Sequence, residues 1–598
     1  MSVARGTTNR RFRRRQVFAA VAIVLALAVA ATALVVSSFG GRATTTTRPD
    51  VPIVEGVGAP DGVAASAADA GAAELGTTSY EIPAGALFVS PSGDNDADGS
   101  LESPLRTIKA ALARVSAGGM IVLRAGEYHE AFTIAEGTPV TVQSYPGEVV
   151  WLDGSEIVKG WQLDGEQADR EQADGEQTGG EQTGDELWSV AWGTVFDSSP
   201  TYERGAPDNT EQYWNFVTAA HPLAAHPDQL WLDDAPLTQV GSRDEVTASS
   251  FFHDESAGAL YLGENPSGHT VRASTLQRAL SIRAEGSTIR GIGVRRFAPS
   301  VPDFGAVTVE RPGVTIENVV ITESATSGLF ITAANTTIRQ VTVTESGMIG
   351  VAANYADNLL IDGLKASGNN TEWFNRAPVA GGLKLTRSRT VEIRNSDFSA
   401  NNATALWFDQ SCRDMTITGS TFVGNAGHGL FLEISARALV ADNYLADNRI
   451  YGMKINDTSS VEIRDNIVVG SRNAIAVLQD ERLKSDENEA GHDERHLDDP
   501  EMTWVGTDVS IIGNTLVGSS EALLWVEDYS RTRSARDFGI TVDNNLYVRA
   551  TDTAPRTLIA WPTNAIGVTP FSSLADFARG TGQEQTGLEH LGGSVLER

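Results

Sequence analysis

The chain has 598 residues, which is long enough for several domains or for one extended repeat domain. Its 46 Lys and Arg residues are outnumbered by 77 Asp and Glu residues, and the net charge is −31. This balance argues against a nucleic-acid partner, because such a partner needs a basic face on the protein. The single cysteine, Cys412, excludes an internal disulfide, and no Cys/His pattern typical of a zinc site is present.

The N-terminus has the features of a membrane-targeting segment. Residues 1–16 are basic, with five arginines between Arg10 and Arg15, and residues 17–36 form an uncharged apolar run. A run of this length predicts a single transmembrane helix, and the arginines predict that residues 1–16 are cytoplasmic and the bulk of the chain extracellular. Small residues near Ala30 and Ala33 also fit a cleaved signal peptide, in which case the protein is secreted.

Four segments of different composition follow. Residues 37–80 are rich in Thr, Ala, Gly and Asp and predict a flexible tether. Residues 81–160 predict an N-terminal cap and the first strands, with an amphipathic helix near Leu105–Val115. Residues 161–187 are acidic and low in complexity, which predicts a solvated loop, and residues 188–275 alternate with strand periodicity and predict a small β-domain.

A repeat of about 23 residues predicts the fold of the remainder. Each repeat holds short strands split by polar turns, and one coil of strands cannot bury its own apolar face, so neighbouring coils must stack. Residues 276–560 therefore predict an all-β, right-handed parallel β-helix, followed by a C-terminal segment, 561–598. The apolar markers recur at steps of 22 to 24 residues, with two longer steps of 32 and 48, at Ile316, Ile338, Ile361, Ile393, Ile417, Val440, Ile463 and Ile511.

A small polar residue stands eight positions after each marker. Stacked coils would align these side chains into a ladder that satisfies turn backbone groups otherwise buried without partners. The pattern therefore favours a structural rather than a catalytic role for these residues. They are Ser324, Ser346, Asn369, Asn401, Asn425, Asn448, Ser471 and Ser519.

The second strand of each repeat predicts an outward-facing site. Its first and third positions, such as Leu406 and Phe408, are apolar and predicted to point inward, so the second and fourth positions point outward. The fourth position holds Asp409 in one repeat and Glu433 in the next, which predicts two exposed carboxylates on adjacent coils. The side chains predicted around them as substrate-binding residues, two of them exposed aromatics and two at the rim, are Lys384, Trp407, His428, Phe431, Tyr451 and Lys454.

A carboxylate pair with this spacing suits one reaction well. Retaining glycoside hydrolases hold two carboxyl groups about 5–5.5 Å apart, one as the nucleophile and one as the acid/base. Proximity also pushes the two pKa values apart, so that one group can stay protonated near neutral pH. This interpretation requires no metal or cofactor. In the alternative, structural interpretation, Asp409 and Glu433 merely pair with Lys384, Lys454 or Arg413.

Several short motifs also resemble a known family. The stretch LFVSPSGDNDADGSLESPLRTIKAAL is similar to the opening of many extracellular β-helix polysaccharide enzymes. Together, YPGEVVWLDGSEIVKGW, GGLKL, ALWFD and LFLEIS resemble the parallel β-helix β-xylosidase family of glycoside hydrolases, over roughly residues 85–480. The resemblance implies that residues 188–275 are a β-sandwich inserted into the β-helix, that Asp409 is the nucleophile and that Glu433 is the acid/base. The chain departs from the family's pattern at Gln410 and Thr386.

Two other functions fit the same face. In a polysaccharide lyase, Lys384 or Lys454 would abstract the proton α to a uronate carboxyl, and Asp409 and Glu433 would hold a calcium ion. In a surface adhesin, the aromatic and charged face would bind a glycan without cleaving it. All three interpretations share a polysaccharide or oligosaccharide partner, and the charged run 480–508 is expected to be a solvated loop beside the site.

Overall fold

The computed structural model describes residues 69–164 and 186–592. The predicted cytoplasmic segment 1–16, the apolar run 17–36, most of the tether and most of the acidic loop therefore lie outside the described residues. None of the helices in the described ranges is long and apolar enough to cross a membrane.

The body of the chain is a parallel β-helix with three sheets, here called A, B and C. Each predicted marker residue pairs with the next one along sheet A, from Ile316 to Ile511, so the predicted register is confirmed. The thirteen strands of sheet A are Leu87–Val89, Met120–Leu123, Thr141–Ser144, Thr288–Arg290, Thr315–Glu317, Thr337–Arg339, Leu360–Asp362, Arg389–Arg394, Arg413–Thr418, Ala436–Ala441, Ser459–Arg464, Val509–Ile512 and Thr541–Asp543.

Sheet B has two halves that are joined by single bridges from Asp397 to Lys365 and to Thr421. Its first half comprises Gly126–Tyr128, Val150–Asp153, Gly293–Arg295, Val320–Thr322, Thr342–Thr344 and Lys365–Ser367. Its second half comprises Thr421–Val423, Tyr444–Ala446, Ile467–Val469, Thr515–Val517, Leu546–Arg549 and Leu588–Leu591.

Sheet C carries the predicted site. Its strands are parallel except for the last, which pairs antiparallel with the one before it. They are Phe132–Ile134, Leu280–Ile282, Val307–Val309, Ser327–Ile331, Ile349–Asn354, Gly381–Thr386, Thr404–Asp409, Leu430–Glu433, Tyr451–Asn456, Asn473–Gln479, Ala522–Asp528, Ile559–Asn564 and Gly567–Phe571.

The inserted β-domain lies between two strands of the first coils and begins earlier than predicted, at Ser155 rather than at residue 188. Its core holds Phe251, Leu260, Leu262 and Val271. One sheet contains Ser155–Ile157, Leu230–Leu232, Ala235–Pro236 and Val271–Ser274, and the other contains Gln162–Leu163, Trp188–Ala191, Thr238–Gln239, Ser250–Asp254 and Ala259–Leu262. The strand Gln162–Leu163 falls inside the segment predicted to be a loop.

Helices are short and few in the described chain. The predicted N-terminal helix is observed at Ile108–Leu112, where the side chain of Thr107 accepts a hydrogen bond from the Ala110 amide and caps the first turn. Two further α-helices are Ala535–Phe538 and Leu574–Thr581, and 3₁₀ turns lie at Arg243–Glu245, Val301–Asp303 and Glu494–His496. Leu574–Thr581 closes the C-terminal end of the coil, because its Phe577 packs against Trp561 and Phe571 over the core.

Part of the predicted tether is ordered against the coil. The Gly71 amide donates to the Gly363 carbonyl at 2.8 Å, and the Ala72 amide donates to Thr342 Oγ1 at 2.9 Å. A Cβ at Gly71 would come within 2.7 Å of Thr342 Oγ1, so the glycine permits this close approach. Tyr80 accepts a hydrogen bond from the Asn318 side chain at 2.8 Å. The prediction of a flexible segment is therefore wrong for residues 69–80.

The predicted polar ladder is present and buried in its asparagine part. The predicted hydrogen-bonding role is wrong for its serines, whose hydroxyls are buried without a hydrogen-bond partner, namely those of Ser324, Ser346, Ser471 and Ser519. The carboxamide of Asn369 donates to Asn401 at 3.0 Å, Asn401 donates to Asn425 at 3.0 Å, and Asn425 donates to Asn448 at 2.8 Å. Each carboxamide also donates to a backbone carbonyl of its own or a neighbouring coil. A second ladder, which the sequence analysis missed, runs through Asn443, Asn466, Asn514 and Asn545.

Replacing Asn425 with Ala should destabilise the coil. The change leaves the Phe398 carbonyl and the Asn401 amide without partners in the interior, and each orphaned group costs about 1–3 kcal/mol. We expect a loss of about 3 kcal/mol and a lower urea midpoint by circular dichroism. The exposed Asn488→Ala variant should unfold at the wild-type midpoint, and an equal shift in both variants would contradict a stabilising ladder.

Candidate functional site

The predicted site residues lie on one column of sheet C. Strand pairing aligns Lys384 with Trp407, Trp407 with Phe431, and Phe431 with Lys454. The alternate residues Leu406, Phe408, Leu430 and Leu432 are fully buried in the core. Asp409 and Glu433 directly follow the last paired residues, Phe408 and Leu432, so they occupy equivalent positions on adjacent strands.

Asp409 is buried and held by a lysine. Its Oδ2 lies 2.9 Å from Lys384 Nζ, and its Oδ1 accepts the Gln410 amide at 2.7 Å. Lys384 Nζ also donates to the Pro378 carbonyl at 2.9 Å and lies 3.4 Å from the centre of the Trp407 ring. Lys384 therefore compensates the charge of the Asp409 carboxylate, and its ammonium group links that carboxylate to the face of the Trp407 indole.

Glu433 receives two donors from different directions. Trp407 Nε1 donates to Oε2 at 3.1 Å, and Arg482 Nη2 donates to Oε1 at 2.7 Å. Trp407 therefore connects the two carboxylates, because its ring contacts Lys384, the partner of Asp409, and its N–H donates to Glu433. The two carboxylates are thus each paired with a separate cation.

Arg482, which the sequence analysis missed, binds three carboxylates. Besides Glu433, it reaches Asp457 at 3.0 Å and Asp480 at 2.8 Å. Burial raises the pKa of Asp457 well above its ordinary value, and the charge of Asp480 raises it further. Burial also acts to raise the pKa of Asp480, but the Arg482 charge and hydrogen bonds outweigh it and hold that pKa below its ordinary value. The pKa values of the two neighbouring aspartates are therefore pushed apart.

Aromatic rings complete the site. Trp407 and Phe431 stack with centroids 5.1 Å apart, and Lys454 Nζ lies 4.1 Å from the Phe431 ring centre. His428 stacks on Tyr451 at 5.1 Å and meets the edge of Phe431. Burial lowers the pKa of Lys454, against the opposing charge of Glu433. Burial also lowers the pKa of His428 well below its ordinary value, and the nearby charges of Lys454 and Arg376 add to this effect.

The expected exposure is wrong for four of these side chains, because Lys384 is 8%, Trp407 7%, Phe431 4% and Asp409 6% exposed. The others are partly exposed, namely Glu433, His428, Tyr451 and Lys454. Long segments fold over the outer face of sheet C, so facing away from the core does not mean facing solvent. Arg376 lies within electrostatic range of His428, and Tyr213 of the insert lies within range of Glu433.

The loop 480–508 is one of these covers, and its prediction as a solvated loop is wrong. Trp504 is fully buried against Ile434, Ala436 and Met502 at the ends of the site strands. Its indole donates to Ser411 Oγ at 3.3 Å, and that hydroxyl donates to the Gly491 carbonyl at 2.9 Å. The loop is therefore anchored by an apolar contact and delivers Arg482 to Glu433.

The carboxylates do not fit a calcium site. Asp409 and Glu433 supply two side chains that already bind Lys384 and Arg482, whereas calcium takes six to eight oxygen ligands. In the described part of the chain, metal-ligating side chains converge in a group of three only at Asp228, His253 and Glu255, in the insert. The donor set is thus suited to acid–base or nucleophilic chemistry rather than to metal binding.

Comparisons with known proteins agree with this fold. The model of the right-handed β-helix region matches residues 305–468, and the model of a family described as a protein of unknown function, DUF1565, matches residues 91–184. The structure of XylC in complex with xylose is 14% identical, with a TM-score of 0.55, over 84% of this chain and 86% of that chain. The chain is therefore a right-handed parallel β-helix, as the motif resemblance implied.

Two curated relatives match short stretches. The uncharacterised protein YwoF of Bacillus subtilis is 33% identical over 75 residues, which are 12% of this chain and 16% of YwoF. Pectate lyase PEL9 of Emericella nidulans is 38% identical over 77 residues, which are 12% of this chain and 19% of PEL9. The chain thus matches less than a fifth of the length of either relative.

The low pKa of His428 should make the fold sensitive to acid. The unfolded histidine takes up a proton below about pH 6.5, whereas the folded one stays neutral, so its contribution to stability is present above that pH and is lost as the pH falls. Between pH 7 and pH 5 the wild type should lose up to about 2 kcal/mol through this residue. Denaturant unfolding should show a smaller loss in His428→Phe, and identical losses would contradict the assignment.

Proposed function

We propose that this protein is a carbohydrate-active enzyme, a retaining glycoside hydrolase with Asp409 as the nucleophile and Glu433 as the acid/base. The observation that carries the proposal is the placement of the two carboxylates at equivalent positions of adjacent parallel strands. A strand spacing of about 4.8 Å is compatible with the 5–5.5 Å that separates the two carboxyl groups of retaining enzymes. The motif resemblance assigns the same two residues to the same roles.

The surrounding side chains support distinct parts of the reaction. In the first step, Asp409 attacks the anomeric carbon while Glu433 protonates the departing glycosidic oxygen, and the bond between that carbon and that oxygen breaks. In the second step, Glu433 takes a proton from a water molecule that attacks the same carbon and releases Asp409. Lys384 holds the nucleophile in one orientation, and the Trp407 N–H does the same for the acid/base.

Known structures and relatives support a carbohydrate substrate. XylC, which shares the fold, is described in complex with xylose, and PEL9 is a pectate lyase. The N-terminal run 17–36 supports an extracellular location, with the chain either anchored by that run or secreted after cleavage. An extracellular polysaccharide or oligosaccharide is a substrate that either an anchored or a secreted form of the protein could reach.

A polysaccharide lyase is the second candidate, and the state of Lys454 favours it. Burial lowers the pKa of this lysine, as a general base requires. Its amine lies against the Phe431 ring and forms no ion pair with any residue that the structure describes. The paired carboxylates weigh against it, because they leave no calcium site to neutralise a uronate. We therefore place the lyase second.

Substitution of either carboxylate should abolish hydrolysis. Asp409→Asn should remove nucleophilic attack, and Glu433→Gln should reduce turnover of an unactivated glycoside roughly 10²–10⁴-fold. Each change leaves Lys384 or Arg482 without its counter-charge, so circular dichroism and a urea midpoint must accompany the assay. The matched control is Glu462→Gln, an exposed carboxylate on sheet A, which should keep full activity.

Rescue by azide distinguishes loss of a catalytic carboxylate from loss of the fold. It should restore turnover of an activated substrate by Asp409→Gly or Glu433→Gly, because a small anion can enter the vacated space and attack the anomeric carbon. Products that absorb in the ultraviolet, together with an inactive Lys454→Ala, would establish the lyase instead. Glycan binding without any cleavage by the wild type would reduce the protein to a binding module.

Arg482 should hold Glu433 in position for the reaction, because its Nη2 donates to Glu433 Oε1 at 2.7 Å. In Arg482→Gln we expect kcat to fall more than KM rises, and Arg482→Lys should restore part of the loss. Arg472→Gln, which removes an exposed arginine paired with Glu521, is the control. An unchanged kcat in Arg482→Gln would rule out this role.

A further inference from the structure

A cavity lies on the same face of sheet C, outside the carboxylate site. It has a volume of about 840 Å³ and is formed where the N-terminal cap, the insert and the β-helix meet. Its floor includes Thr133 and Ser281, which pair with each other on neighbouring strands. Lys109 of the first helix lines one wall, and Val195 of the insert lines another. A concave site at a junction between domains is a common location for a small-molecule ligand.

The cavity is separated from the carboxylate site by packed side chains. Strand pairing continues the column from Ser281 through Thr308, Phe330 and Ala352 to Lys384, so Trp407 lies five strands, or about 24 Å, from Ser281. Phe330 and Ala352 are buried in one apolar cluster with Phe216 of the insert and with Phe374. One ligand cannot lie flat across this barrier, so the cavity is a site of its own.

The lining has a charge opposite to that of the whole chain. Lys109, Arg278 and Arg283 line it together with a single carboxylate, Asp303, in a protein whose net charge is −31. Asp303 is shared between two arginines, because Arg204 donates to its Oδ1 at 2.8 Å and Arg278 Nη2 lies 3.5 Å from the same oxygen. Arg283 pairs with Glu310, which does not line the cavity. The local balance therefore favours a ligand with a negative charge.

Arg278 has unused hydrogen-bonding capacity. Its Nη1 donates to Ser281 Oγ at 3.2 Å, and its Nη2 donates to the Asp303 carbonyl at 2.9 Å. Its Nε is buried and has no hydrogen-bond partner. A buried donor without a partner is costly, and a carboxylate that accepts from a guanidinium is the usual way to satisfy it.

We propose that this cavity binds the carboxylate-bearing sugar unit of an acidic glycan, such as a uronate. The cations supply the contacts to the carboxylate, the hydroxyls of Thr133 and Ser281 suit sugar hydroxyls, and the exposed side chain of Val195 offers an apolar surface to the ring. The site would hold an acidic glycan on the protein at a distance from the carboxylate pair, without taking part in bond cleavage. This binding does not depend on the reaction proposed above.

The test is binding of defined oligosaccharides, measured by calorimetry on the full chain in an Asp409→Asn background that prevents turnover. Oligogalacturonate should bind, and a neutral galacto-oligosaccharide of equal length should bind at least tenfold more weakly. Arg278→Gln should weaken binding of oligogalacturonate at least tenfold, as should the double variant Lys109→Gln with Arg283→Gln. Arg311→Gln, an exposed arginine next to this region that does not line the cavity, should leave binding unchanged.

Two further variants keep the proposal open to refutation. If circular dichroism shows that Arg278→Gln misfolds, the double variant Lys109→Gln with Arg283→Gln, which changes exposed residues only, tests the role of the cations. Val195→Trp should block the cavity without changing any charge. Glu433→Gln should bind oligogalacturonate normally, and Arg278→Gln should retain wild-type glycosidase activity on a short neutral substrate. Binding that is lost in Glu433→Gln but not in the cavity variants, or that is equal for acidic and neutral sugars, would overturn the proposal.

Discussion

The register between stacked coils is the constraint on which the rest of the structure depends. No single coil can bury its own apolar side chains, so each coil must pair strand by strand with its neighbours. A slip of one residue would turn Leu406 and Phe408 outward and Asp409 inward, and would also leave the buried carboxamides of the asparagine ladder without partners. The position of Asp409 beside Glu433 is therefore a consequence of the packing of the adjacent core residues Phe408 and Leu432, not of any local preference of the two carboxylates.

The covered site holds more charge than stability requires. Buried ion pairs add little net stability, because desolvation of both partners offsets most of their attraction, whereas loss of one partner is costly. Here Lys384 holds Asp409, and Arg482 binds Glu433 together with Asp457 and Asp480. An apolar face would cover the coil at lower cost, so this concentration of compensated charge supports a functional account of the face. It also keeps both carboxylates in fixed positions before any ligand arrives.

The parts that the sequence predicts well depend on neighbours at a constant sequence interval. The pairing of Ile338 with Ile361, the first asparagine ladder and the column containing Trp407 and Phe431 all follow from a repeat near 23 residues. The second ladder, through Asn443 and Asn466, has the same kind of spacing and could have been found by the same search.

What the sequence did not predict depends on contacts between distant segments. Arg482 reaches Glu433 from 49 residues away, and Phe216 of the insert covers Phe330 from more than 100 residues away. The run 480–508 has the composition of a solvated loop, yet one buried tryptophan, Trp504, is enough to hold it on the coil. The order of residues 69–80 likewise rests on a few backbone hydrogen bonds that leave no periodic signal.

The outer column of sheet C also indicates how the face is divided. Its first members, Thr133, Ser281 and Thr308, are polar, and the next two, Phe330 and Ala352, are apolar and lie under the insert. Ala476 and Trp525 continue the column on the later coils, where Ala476 is fully buried and the ring of Trp525 is partly exposed. The buried residues Phe330 and Ala352 thus separate the polar stretch on the early coils from Asp409 and Glu433. Because packed side chains cover the column between them, a ligand bound at one stretch cannot follow the sheet surface to the other.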